Sequence, residues 1–184
     1  DQYLVQLSRH SLDDKGSDLV SDLLHALSDF ERIGDYVVNL SESATALNDA
    51  ALSFSPKAQA ELDSLCAAVG EALNQVLEAY RAHDAYFQVE PLEEVVDLIT
   101  AALRERHVER LKTGECTVEV GTQFLELLTN LERISDHCSN AAVRVIHQAA
   151  EKGSLVRSDI HAYLHQLHQG GSPQFDQLFA QATE

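Results

Sequence analysis

DFERIGDYVVN at residues 29–39 and NLERISDHCSN at residues 130–140 are two versions of one sequence element, about a hundred residues apart. A repeat at that distance marks two copies of one structural unit. In each copy the apolar residues recur at spacings of three and four: Phe30, Ile33, Val37 and Leu40 in the first, Leu131, Ile134, Cys138 and Ala141 in the second. That period is helical. Residues four apart on a helix are about 6 Å apart along the axis and nearly in line, so Glu31, Asp35 and Asn39 share one face. Glu132, Asp136 and Asn140 do the same.

The same periodicity extends outward from both copies. It predicts a helix from Leu19 to about Ala46, capped by Ser17 or Asp18, and a second from Pro56 to about Tyr86, with a break over residues 48–55 between them. Pro91 cannot sit in a helix interior, so a start or kink falls there, and Leu92, Val95, Val96, Ile99, Leu103, Val108 and Leu111 carry the stripe onward to a stop at Gly114. A fourth long helix runs from about Val118 to Glu151, closed by Gly153, and residues 158–184 form a helix broken at 170–173. YLVQLS at residues 3–8 corresponds to HVERLK at residues 107–112, each just upstream of its acidic helix. The expected fold is therefore all-α. It comprises two three-helix repeats, 1–88 and 89–184, with the opening helix of the first reduced to its last turns.

Composition narrows the function. A formal charge of −17 over 184 residues repels nucleic acid and anionic lipid, and it concentrates cations wherever carboxylates converge. Cys66, Cys116 and Cys138 are scattered and odd in number, which points away from a disulfide framework or a thiolate zinc site. No apolar run is long enough to span a membrane and no signal peptide opens the chain, while a start at Asp1 is expected of a piece of a longer protein. A nucleophile elbow, a glycine-rich phosphate loop and the E-x-x-H of di-iron oxidases are absent, so an enzyme is not expected.

The acid pairs admit two readings. In the plainer one, Arg32 with Asp35 and Arg133 with Asp136 form ordinary solvated ion pairs of little energetic weight. In the other, Glu31, Asp35, Glu132 and Asp136 supply hard oxygen ligands to metal ions. Two ligands from one helix do not complete a shell. The helix that opens the second copy offers Glu90, Glu93, Glu94 and Asp97 at the same four-residue spacing. The expected metal set is Glu31, Asp35, Glu90, Glu94, Asp97, Glu132 and Asp136, better furnished on the second copy than on the first.

With ERIGD at 31–35 and ERISD at 132–136 in a doubled three-helix pattern, the chain resembles PhoU, the bacterial phosphate-signalling family. LLHALSDFERIGDYVVNLSE, VEPLEEVVDLI and CTVEVGTQFLELLTNLERISDHCSNAA look more narrowly like the PhoU-like cytosolic domain of bacterial Na/Pi cotransporters, over about residues 1–150. The resemblance implies divalent or trivalent ions (iron, zinc, manganese or magnesium) on the E-x-x-x-D faces and a role in regulating phosphate uptake rather than in catalysis. It implies a cytoplasmic position at the inner face of the membrane, with a transporter membrane domain in cis or the components of a phosphate importer as partners, and it admits a homodimer. Two rivals stand beside it: a freestanding PhoU regulating an ATP-driven importer and its sensor kinase, and a metal-free adaptor bundle. Ser135 stands where the first copy has Gly34, and the short opening helix removes half the ligands expected of the first copy.

Two lesser signals are weaker. His161, His165 and His168 share a helix face and are expected to be a solvated tail, while Cys138 sits on the apolar stripe and His137 points away from Asp136.

Overall fold

A computed structural model describes residues 2–82 and 89–149. Five helices follow in order: α1 (Gln2–Leu7), α2 (Asp14–Asp49), α3 (Pro56–Ala82), α4 (Val89–Lys112) and α5 (Val118–Ala149). No strand occurs among the described residues. The expected all-α fold is found.

Local chemistry sets the helix ends. α2 begins earlier than its apolar stripe because Asp13, rather than Ser17 or Asp18, is the cap: its Oδ1 accepts the Gly16 N–H at 2.9 Å. The helix stops where Ala51 turns into the left-handed region at φ 50, and Leu52 N–H reaches back to the Leu47 carbonyl at 2.9 Å. Pro56 opens α3, and Ser55 Oγ accepts the Ala58 N–H at 3.2 Å. Pro91 stands close to the described start of α4, as its missing N–H requires. It lies in the first turn after Val89, where a missing N–H breaks no helical hydrogen bond. Gly114, at φ 75, ends α4 in a left-handed turn closed by Glu115 N–H on the Arg110 carbonyl. The expected extensions toward Tyr86 and Glu151, the stop at Gly153 and the histidine-bearing tail lie outside the described residues.

α5 is the central rod, packed against α2, α3 and α4. Cross-contacts fix the directions. Asn39 bonds Asn130 while Asp29 bonds His137, so α2 and α5 run antiparallel. Phe54, at the entry to α3, packs on Phe124, and Tyr80 Oη donates to the Ala141 carbonyl, so α3 and α5 run parallel. A single cluster joins Ile33 and Leu47 of α2, Leu65 and Val76 of α3, Val96 and Leu103 of α4 and Leu128, Ile134 and Cys138 of α5. The described residues thus share one core across residues 88 and 89.

The central position of α5 explains why the repeated elements differ in exposure. Ser135 is fully buried, whereas Gly34, its counterpart on the outer helix α2, is exposed with open space beside it. α2 also leaves Leu27, Val37 and Val38 in contact with solvent. Gly121 lets α4 approach α5 closely. A Cβ there would lie 2.8 Å from His107 Nε2, inside van der Waals contact with a ring already stacked on Phe124.

Candidate metal centre

The α4–α5 seam gathers three carboxylates. One oxygen each from Glu93, Asp97 and Asp136 lies within 4.8 Å of the others. Asp97 comes from an exposed position on α4, whereas Glu93 and Asp136 are half-buried, with Glu93 Oε2 shielded from solvent. Calcium–oxygen distances of about 2.3–2.6 Å, and shorter ones for smaller ions, place opposite ligand oxygens at roughly 4–5 Å, so the spread fits one shared cation. All donors are hard oxygens, the set that suits magnesium, manganese, iron and zinc at carboxylate sites.

Electrostatics agree with the geometry. Although Asp97 is exposed overall, partial desolvation at the seam raises its carboxyl above the ordinary 3.8, and the neighbouring Asp136, Glu132 and Glu94 charges push the same way. Burial also raises Asp136, with Glu132 adding to it and Arg133 opposing. A carboxylate raised in the folded state stabilises the fold while protonated, and that contribution is lost as pH climbs through the folded value. In chelator at neutral pH, Asp136→Asn should therefore raise stability by a few tenths to about 1 kcal/mol. The gain should vanish near pH 3, where Asp136 carries its proton in the parent chain as well. Urea unfolding at both pH values checks this, and an equal gain at each would refute the charge explanation.

The other expected ligands are placed differently. Glu132 is held bidentately by Arg104, with Nη2–Oε2 at 2.6 Å and Nη1–Oε1 at 3.2 Å, and the same guanidinium reaches Thr129 Oγ1. Its carboxylate is already matched, so it lends charge to the seam without joining the triad. Glu94 raises Asp97 through its charge. The Glu90 side chain lies outside the described residues. Glu31 and Asp35 are both exposed on α2, and among the described residues the carboxylate group within ion-binding reach is the one on α4 and α5. The ion pair expected within the helix does form between Arg133 and Asp136, at a loose 3.4 Å.

Glu93 rather than Glu94 lies in the three-carboxylate group, although both are half-buried on α4. The signal was present in the sequence: Glu93 falls on the stripe of Val89, Val96, Thr100, Leu103 and His107, all buried, while Glu94 is a step off it. One further polar pair was not foreseen. His137 Nδ1 lies 3.0 Å from Asp29 Oδ1 and its ring stacks on Tyr36, joining α5 to α2. Cys138 is fully buried in the core, its thiol pushed up to about 12 by burial.

Together these features define an all-helical bundle with a carboxylate cluster between two of its rods. Residues 62–145, from α3 through α5, match the family model described as PhoU domain. Among curated proteins, the phosphate-specific transport system accessory protein PhoU homolog 1 of Thermotoga maritima is 28% identical over 130 residues, covering 68% of this chain and 54% of the relative. The phosphate-specific transport system accessory protein PhoU homolog of Streptococcus pneumoniae is 26% identical over 139 residues, covering 74% of the chain and 62% of the relative. The chain thus spans between half and two thirds of the length of these relatives. No solved structure gives a significant match. No helix among the described residues is long and apolar enough to cross a membrane.

Proposed function

We propose that this chain is a PhoU-type regulatory domain of phosphate transport that holds a divalent or trivalent cation on Glu93, Asp97 and Asp136. The convergence of those three carboxylates carries the proposal, because like charges drawn together at a helix seam are costly until a cation joins them. An ion there would neutralise the seam and lock α4 against α5, and so fix the face the bundle presents to a partner. Its role is regulatory rather than catalytic. The relatives are named as accessory proteins of phosphate-specific transport, which favours action on a phosphate importer. The tandem division into repeats 1–88 and 89–184 belongs to the same proposal.

A second reading makes this the cytosolic domain of a Na/Pi cotransporter at the inner face of the membrane, and the strings LLHALSDFERIGDYVVNLSE and VEPLEEVVDLI support it. In that case the gene encodes membrane helices ahead of residue 1. Uptake of labelled phosphate tests the common claim. Cells lacking the gene should show altered uptake, restored by the full-length gene and not by the same gene carrying Asp97→Asn and Asp136→Asn. Unchanged uptake on deletion would count against a role in phosphate transport, and full rescue by the double variant would count against the metal.

A further inference from the structure

We infer that a second site, at the opposite end of the α4–α5 seam from the carboxylates, binds a small tetrahedral oxyanion. A cavity of about 140 Å³ opens there between the α2–α3 and α4–α5 connections. Because α3 and α5 run parallel, both place their N-terminal ends at it: Ser55 and Ala58 line it from one helix, Thr117 and Val120 from the other. Helix N-termini carry partial positive charge and attract anions. The two capping hydroxyls already accept helix N–H groups, Ser55 Oγ from Ala58 and Thr117 Oγ1 from Val120, which leaves their own hydrogens to donate.

The independent sign of a ligand is Arg110. It lines the cavity, is 8% exposed, and gives Nη1 to Glu61 at 2.7 Å, yet its Nη2 is buried without a hydrogen-bond partner. A buried guanidinium donor left unmatched is expensive, and an oxyanion oxygen is its natural complement. His107, 1% exposed, also lines the cavity, but its Nε2 is turned toward Gly121 and adds nothing to the case. Acidic groups work against the anion: Glu61 shares Arg110, and Glu115 lines the cavity while accepting from Thr113 Oγ1. They set a modest affinity and make Glu115 the residue whose neutralisation should strengthen binding.

Titration calorimetry with sodium phosphate and with sodium sulfate, at fixed ionic strength and with chelator present to exclude the carboxylate site, tests the inference. One saturable site per chain is expected for one or both anions. Affinity should rise about threefold in Glu115→Gln, fall several-fold in Thr117→Val, and be lost in Arg110→Lys, which keeps the charge but not the fork. If Arg110→Lys fails to fold by circular dichroism, the other two variants decide. Absence of saturable binding in both the parent chain and Glu115→Gln would overturn the inference, as would affinities unchanged by Glu115→Gln and Thr117→Val. Because the carboxylates and any metal are excluded, a negative result here leaves the proposed metal centre standing.

Discussion

Truncating Phe124 to alanine should cost about 3–5 kcal/mol of stability, the range for deleting a fully buried aromatic side chain. Phe124 is 1% exposed and sits where the α2–α3 connection and α4 meet α5. Its ring packs edge-on against Phe54 at 5.5 Å, stacks on His107 at 5.1 Å, and lies 5.1 Å beneath the Arg110 guanidinium. Removing it enlarges a cavity that already exists beside it, so nearby side chains have little reason to collapse into the space. For a chain of this size the loss corresponds to a fall in melting temperature of about 10 °C or more. Urea unfolding followed by helical circular dichroism measures it. A cost under 1.5 kcal/mol would mean that this end of the bundle is not packed as described.

Replacing Glu61 by alanine should be comparably damaging, at about 3–5 kcal/mol, for an electrostatic reason. Glu61 on α3 and Arg110 on α4 form a 2.7 Å pair with both side chains only 9% exposed, while Arg106 reaches the other carboxylate oxygen from a more open position. Without Glu61 the Arg110 guanidinium stays buried with no counter-charge. The double change Glu61→Met and Arg110→Leu removes both charges and should recover most of the loss, since well-packed apolar replacements of buried ion pairs are often neutral or better. If the single and double variants are equally unstable, shape rather than charge governs this contact. The two predictions separate cleanly because Phe124 acts through volume and Glu61 through desolvation.

Much of the fold was legible because it rests on periodicity. The stripes through Ile33, Leu65, Val96 and Ile134 give four long helices, and turn residues such as Gly114 and Pro56 mark where they break. The cap at Asp13 was harder to see, because an N-cap can stand several residues before the first apolar position. The candidate site was legible only in part. Spacing put Asp97 and Asp136 on faces that meet at the α4–α5 seam, yet it is blind to which acids an arginine will occupy. Arg104 comes from another helix, and only tertiary packing brings it onto Glu132. Spacing also treats Glu31 with Asp35 as the equal of Glu132 with Asp136. The difference between the pairs arises from enclosure: α5 is surrounded by three helices, whereas this face of α2 is open. The Asp29–His137 and Glu61–Arg110 pairs join residues far apart in the chain, and no local pattern announces them.

Cation binding to the chelator-stripped chain is the most direct test of the central claim, with manganese as the titrant and calorimetry or manganese relaxation as the readout. The parent chain should bind saturably at one site, the pair Asp97→Asn and Asp136→Asn should weaken that site at least tenfold, and Glu31→Gln with Asp35→Asn should leave it unchanged. Binding that is absent from the parent chain, or that survives in the seam variant while disappearing from the α2 variant, would contradict it.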